Sequence, residues 1–230
     1  GARIHGESPA TGLRRHGAGW QVSTPSGRVS AEKVLVCTNG YTENLWYGLG
    51  EAIVPAVSFI AATKPLSDSL SKTILPERHA VSETRRVQVY YRKDRDGRFV
   101  IGGRGNLLNA AAIGDDAHVL ATALRMFPQL AEVEWEFHWG GYVAMTPNWA
   151  PMLMRLAPGV YAGMGYNGRG IAMATMMGKQ LAAALLGEDQ DIPVMPLTRI
   201  PFHTFHQVGM SWYLITGQWL DRLDQSARRR

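Results

Sequence analysis

The sequence predicts a mixed α+β / α/β chain of two domains, in which an α/β sheet is interrupted by an inserted, mostly antiparallel block. Three observations predict it. Val34-Leu35-Val36-Cys37 is continuously apolar, the mark of a strand buried on both faces of an α/β sheet. Between this run and the C-terminal third lie alternating segments joined by a hairpin signal at Asp96-Gly97. Then Val160 to Ala162 reads as a short strand, followed by the glycine-rich run Gly163 to Gly170 and the long apolar segment Ile171 to Leu186.

Composition bounds the class. A hydrophobic content of 46% is ample for a core, and 230 residues suit one large domain or two small ones. The single cysteine, Cys37, excludes an internal disulfide framework and points to a reducing compartment, the cytoplasm. No secretory signal opens the chain. The formal charge is +5, three of those charges being the terminal Arg228-Arg229-Arg230, read as a solvated tail. The other basic residues are scattered, so a nucleic-acid stripe with interleaved aromatics is not expected. Lys179 and Gln180 interrupt the longest apolar run, which excludes a membrane span and favours a buried core helix, with Gly178 allowing close packing.

The elements follow in order. Gly1 to His5 begins without cap or turn. Trp20 to Thr24 and Lys33 to Thr38 read as strands, with Pro25-Ser26-Gly27 as the turn between them. The second ends at Thr38-Asn39-Gly40, and in open α/β sheets ligands gather beyond the carboxyl ends of strands. Cys37 is expected to be a small buried hydrophobe rather than a nucleophile, because no His or acid lies nearby in sequence to activate it. Ile53 to Thr63 is extended and apolar; Arg86 to Arg92 places Val87, Val89 and Tyr91 on one face; Arg98 to Gly103 is the return strand after Asp96-Gly97. Asp115 and Asp116 start a helix with Leu120, Leu124 and Phe127 at helical spacing, ended by Pro128. Val133, Trp135, Phe137 and Trp139 share one face of a strand, which covers a core or lines a pocket. From Pro193 onward His203 and His206 form a pair without a third ligand of suitable spacing, so no metal is expected.

The run Gly163-Met164-Gly165-Tyr166-Asn167-Gly168-Arg169-Gly170 carries the strongest functional signal. It reads strand, glycine turn, helix. Glycines there let the backbone take φ > 0 and let a ligand approach the main chain. The first N–H groups of the helix lack intrahelical acceptors and carry the positive end of its dipole, so the mouth suits an anion or a ligand that becomes anionic. A simple tight connection explains the glycines equally well. The spacing is neither a Walker A loop nor G-x-G-x-x-G, and no ribose-binding acid follows.

Taken together and in order, these residues resemble the C-terminal part of the D-amino-acid oxidase family of flavin-dependent oxidoreductases, over nearly the whole chain. Gly1 to Ile4 resembles the start of a strand after the family's active-site helix; Val34 to Thr42 resembles the segment near the adenine and phosphate side of FAD. Tyr90-Tyr91-Arg92 through Arg98, with Ile101-Gly102-Gly103-Arg104, resembles the hairpin over the substrate cavity. Trp139-Gly140-Gly141-Tyr142, Thr146-Pro147 and Pro151 resemble the return into the cofactor domain, and Gly163 to Gly170 the last flavin-contacting loop. The resemblance implies a partial FAD-binding Rossmann-like domain over 1–48 and 141–190, a DAO-like antiparallel substrate domain over 49–140 and a C-terminal tail over 191–230. Roughly the first 150 to 200 residues of the family's chain, about one domain's worth and including its N-terminal βαβ unit, are expected to be absent, so that the chain is a fragment whose missing FAD-binding half is its partner.

By the same resemblance, non-covalent FAD contacts Cys37, Thr38, Asn39, Gly40, Gly165, Tyr166, Asn167, Gly168, Arg169, Gly170 and Ile171. Tyr91, Arg92, Trp139 and Tyr142 face a small amine or amino acid. The flavin performs the redox step, and no catalytic acid–base pair is required. Positions that carry a substrate-binding Arg, a Lys and a flavin-linking Cys in family members align with Val143, Ala172 and Gly141. That favours an amine of the gamma-glutamylputrescine type. Arg92 or Arg104 keeps an amino acid open as the alternative, since an ion pair in a dry pocket needs a fixed cation. A non-catalytic remnant or partner subunit and a tRNA-modifying enzyme are the other readings.

Overall fold

Alternation of apolar residues and the turns between them set the order of the elements. The structure is a computed structural model that describes residues 1–104 and 117–227. The expected helix start at Asp115 and Asp116 and the tail Arg228 to Arg230 lie outside the described residues. In chain order the elements are β1 (Gly12–His16), β2 (Gly19–Thr24), β3 (Gly27–Ala31), β4 (Val34–Val36), β5 (Val54–Pro65), α1 (Asp68–Thr73), β6 (Val81–Ser82), β7 (Val89–Lys93), β8 (Arg98–Arg104), α2 (Ala117–Met126), β9 (Trp135–Met145), β10 (Met152–Ala157), β11 (Val160–Met164), α3 (Gly170–Leu186), β12 (Val194–Met195) and α4 (His206–Ala227). They fall into two compact units. One holds residues 1–55 and 143–203, the other 56–142 and 204–230, and the chain passes between them within β5, within β9 and after His203.

The first unit holds two sheets. β1, β2 and β3 form an antiparallel meander, so Pro25-Ser26-Gly27 leads into β3 and not directly into β4. The other sheet has the order β12-β10-β11-β4, with β10 and β11 antiparallel and β4 parallel to β11. One core packs Trp20, Val36, Leu49, Ile53, Met154, Val160 and Met164. On the opposite face α3 seats Met177, Leu181 and Ala184 against Leu153 and Tyr166. The approach is close because residue 163 is glycine: a Cβ there would meet Met177 Cγ at 2.6 Å and Leu181 Cδ1 at 2.9 Å.

Three expectations are corrected here. β4 is an edge strand with Leu35 exposed, not a strand buried on both faces. An apolar run signals burial only where a neighbouring element covers each face, and at this edge none of the described residues does. Cys37 likewise lies exposed rather than buried. Finally, the described residues cover α3 on one face only, and a Cβ at Gly178 would meet nothing within 4 Å. Gly163 on the strand, not Gly178 on the helix, permits the tight contact.

The second unit is built on an antiparallel sheet of order β6-β7-β8-β5-β9. Asp96-Gly97 turns β7 into β8: Gly97 has φ 81° and the Asp94 carboxylate accepts N–H groups from Asp96 and Arg98 at 2.9 Å. One face of the sheet, with Ala61, Val89, Phe99 and Ile101, packs on Val119, Ala123 and Leu130. Tyr91, Phe99, Phe127 and Trp135 join this core with ring centroids 5.3–6.3 Å apart, mostly edge to face. In α2 Val119, Thr122 and Ala123 are buried, and the expected Leu120 and, just past the helix, Phe127 pack against the same core, whereas Leu124 is exposed. Within the segment expected as a C-terminal tail, residues 206–227 form the 22-residue helix α4. Its inner face buries Leu214 and Asp221, with Gly217 close to Val87.

Candidate functional site

In the first unit, two loops meet at the ends of the parallel pair β4 and β11. After β4, Thr38-Asn39-Gly40 enters a short 3₁₀ turn, Asn39–Tyr41. After β11 comes Gly165 to Arg169, and then α3. The Asn39 side-chain oxygen accepts the Gly165 N–H at 3.0 Å and so ties one loop to the other. Asn167 makes the second tie. Its oxygen accepts the Thr146 N–H at 2.8 Å, and its amide donates to Gly165 O at 2.6 Å and to Thr146 Oγ1 at 3.0 Å. Its own N–H donates to Ala144 O at 3.1 Å.

This geometry needs left-handed backbone. Asn39 has φ 44°, Asn167 51°, Gly165 82° and Gly168 84°. Asparagine is the non-glycine residue that tolerates this region best, because its short side chain bonds to nearby main chain. A side chain at 165 would also strike Thr146 Cγ2 at 2.5 Å. The loop is therefore fixed by hydrogen bonds and sterics together.

The helix mouth is open. Arg169 is the N-cap residue and makes no side-chain hydrogen bond to the helix; its guanidinium donates to Trp149 O at 2.9 Å. A Cβ at Gly168 or at Gly170 would meet nothing within 4 Å. Ile171 in the first turn is 96% exposed. A planar ligand can thus approach the main chain, and the positive end of a 17-residue helix faces it. These residues fit the edge of a flavin. Of the expected contact residues, Asn39, Gly40, Gly165, Tyr166 and Asn167 are knit into this loop pair. Thr38, Gly168, Arg169 and Ile171 present exposed groups around it. Thr38 Oγ1 pairs with Thr42 Oγ1 at 2.6 Å. Burial, and then the nearby Cys37, push the Tyr166 phenol up, and its hydroxyl donates to Gly163 O at 3.2 Å. Desolvation raises the Cys37 thiol even though the residue keeps solvent contact, so it stays protonated at neutral pH.

The expected substrate residues in the second unit do not form one cluster. Tyr91 belongs to the aromatic core, where desolvation first, and the Glu83 charge next, raise its phenol. Arg92 is the next residue along β7, so it projects from the other face and is exposed. Trp139, on the edge strand β9, is exposed, and Tyr142 is half-buried. Another group does come together. Tyr90 lies over Gly102, and its hydroxyl pairs with Ser58 Oγ at 3.0 Å. Arg104, opposite Ser58 across the β5–β8 pairing, is desolvated enough to lower its pKa, against the opposing influence of Tyr213 and Tyr90. No carboxylate among the described residues forms an ion pair with Arg104. The signal for Tyr90 was the Tyr90–Gly102 cross-strand match, legible only once the register is known.

A family model described as DAO, FAD dependent oxidoreductase, matches residues 1–184. The chain is 32% identical over 201 residues to a probable oxidoreductase, OrdL, of Rhizobium meliloti, covering 87% of this chain and 46% of the relative. It is 28% identical over 227 residues to the gamma-glutamylputrescine oxidoreductase of Escherichia coli, covering 93% and 52%. The chain thus spans about half the length of the curated relatives it matches. Among solved structures, the iminodiacetate oxidase of Chelativorans superposes with a TM-score of 0.63 at 19% identity, over 79% of this chain and 50% of that one. The glycine oxidase of Geobacillus kaustophilus gives 0.63 at 17%, over 84% and 52%. Among the described residues no helix is long and apolar enough to cross a membrane, and no group of three or more His, Cys, Asp or Glu is placed to hold a metal.

Proposed function

The chain belongs to the DAO family of FAD-dependent oxidoreductases, and we propose that it forms the C-terminal half of an enzyme that oxidises the C–N bond of a putrescine-like or gamma-glutamylated amine. The observation that carries the reading is the open mouth of α3, held by Asn39 and Asn167 and unobstructed at Gly168 and Gly170. FAD, bound without a covalent link, would supply the two-electron acceptor. The chain's own part is to position and to stabilise. The first N–H groups of α3, which lack intrahelical acceptors and follow a loop that is already fixed, would favour negative charge on a ring held at this mouth. Arg169 would add charge at the rim, its side chain braced by Trp149 O. The adenine and phosphate side would pass Cys37 to Gly40, and the main phosphate cradle would come from the half that this chain does not span.

Substrate class rests on which charges are present. Val143, Ala172 and Gly141 stand where family members were expected to carry a basic residue, a lysine and a flavin-linking cysteine, which favours a neutral amine and non-covalent flavin. The similarity to the gamma-glutamylputrescine oxidoreductase agrees with that choice. One observation favours a second reading, an amino acid of the glycine or D-amino-acid type: Arg104, desolvated and without an ion-pair partner among the described residues, is suited to a carboxylate. Arg92, Trp139 and Tyr142 stay proposed as cavity residues, whereas Tyr91, on the other face of β7 and packed in the aromatic core, does not. We expect a polypeptide completed with the missing half to be yellow and to bleach anaerobically with putrescine or a gamma-glutamylated amine. Bleaching by glycine or D-amino acids alone selects the second reading. A colourless protein, or one that neither class reduces, rejects both.

A further inference from the structure

The outer face of α4 carries an apolar row that neither the fold nor the proposed activity uses. Phe205, Val208, Trp212, Ile215 and Trp219 recur at steps of three and four, the seam spacing of a helix that packs on another helix. They are 66%, 68%, 70%, 44% and 59% exposed. Side chains of this size at such exposures offer roughly 600 Å². That lies at the upper end of the roughly 300–600 Å² for the largest apolar patch of a monomer and approaches the about 800 Å² per partner of a standard interface. The row lies beyond residue 184, where the family match ends.

We propose that this row is an isologous interface at which α4 of a second copy of this chain packs antiparallel. Three observations choose that occupant. First, the seam and its flanks Gly209, Ser211, Thr216 and Gln218 carry no charge, so a second copy meets no like-charge repulsion. The acids of the helix are turned to its own unit, where Asp221 and Asp224 share the Arg86 guanidinium. Second, antiparallel pairing about a two-fold axis between Trp212 and Ile215 sets Trp212 beside the partner copy's residue 215 and Trp219 beside its residue 208. Each large ring then meets a smaller β-branched side chain, whereas parallel pairing would stack the tryptophans on each other. Third, an anionic lipid surface is the other candidate for an exposed Trp-bearing helix, but such helices carry Lys and Arg along the polar face. Here the only basic residue after His206 within the described helix is Arg222; Arg228-Arg229-Arg230 follow it in sequence, and flotation with anionic vesicles decides between the two surfaces.

The test is sedimentation of the 230-residue chain over a concentration series. A mass of about twice 25.3 kDa is expected at the top of the series. A Val208→Lys, Ile215→Lys double variant should raise the dissociation constant by roughly 100-fold or more with the helical circular dichroism unchanged, because both side chains point away from the unit's own core. If that variant does not fold, cysteines at 208 and 219 in a Cys37→Ser background decide: the pair together cross-links between copies under oxidation, and cysteine at 208 alone does not. A wild-type monomer at all concentrations, a dimer indifferent to both tests, a monomer that floats with anionic vesicles, or a dimer that dissociates when the missing half is supplied overturns the proposal.

Discussion

Helices α3 and α4 are both two-faced, and they differ in what they turn outward. α3 buries Met177, Leu181 and Ala184 and shows small residues, Ala174, Gly178 and Ala182, on its outer side. α4 buries little more than Leu214 and Asp221 and shows Trp212 and Trp219. The anchors differ as well. α3 is held by apolar contact beneath Gly163. α4 is held by a carboxylate that accepts the backbone N–H groups of Arg86 and Val87, each at 3.1 Å. The lesson is that a helix seated by packing can leave its mouth free for a ligand, whereas one seated by a few polar bonds can leave a large apolar face free for a partner.

The largest effect that would break this contrast is expected at the loop before α3. Gly165→Val combines a forbidden φ with a 2.5 Å clash, and should cost about 4 kcal/mol and remove flavin retention from the completed protein. Denaturant titration with flavin absorbance checks it; unchanged flavin content would show that the loop is not the cradle. Next is Asp221→Ala, which strands two N–H groups at the foot of α4 and should cost about 2–3 kcal/mol. The same residue sets a pH dependence. Burial alone would raise its pKa, but the two N–H bonds and the Arg86 charge hold it below the ordinary value. With the folded pKa lowered, its contribution is complete above about pH 4 and is lost as pH falls through the folded pKa. Acid titration of the wild type should therefore show a loss that the alanine variant lacks.

Smaller effects sharpen the comparison. Gly163→Ala overpacks Met177 and Leu181 and should cost about 1–3 kcal/mol by thermal unfolding. Gly178→Ala, on the open side of the same helix, should go the other way and gain about 0.5–1 kcal/mol, because alanine is the better helix former and meets nothing. Equal losses at both positions would mean that the outer face of α3 is covered in solution.

The strand–turn–helix unit at 160–186 was legible because its signals are local: glycines, an apolar run and a strand of three residues before them. The hairpin at Asp96-Gly97 was legible for the same reason. Leu35, Cys37 and Gly178 were misread because an apolar or small residue states a preference for burial and cannot say whether a second element arrives to cover it. Asn39 and Asn167 were read as contact residues, but their work as ties depends on pairing across 126 and 21 positions, which no spacing rule reports. The three-four repeat from Phe205 to Trp219 was present in the sequence, but the tail was assigned from the family resemblance and not from its own periodicity.

The two asparagines that stitch the loops together are each followed by glycine. That dipeptide is the one most prone to lose ammonia through cyclisation onto the next amide. The same bonds that shape the site also hold each side chain away from that attack, so chemical ageing of the chain is tied to its fold. Local opening would let residue 167 become aspartate or isoaspartate. The amide that now donates to Gly165 O and Thr146 Oγ1 would then be an oxygen with nothing to give. Long storage at mildly alkaline pH is thus expected to erode this site before any other, and a saturating ligand at the mouth of α3 would act as a preservative.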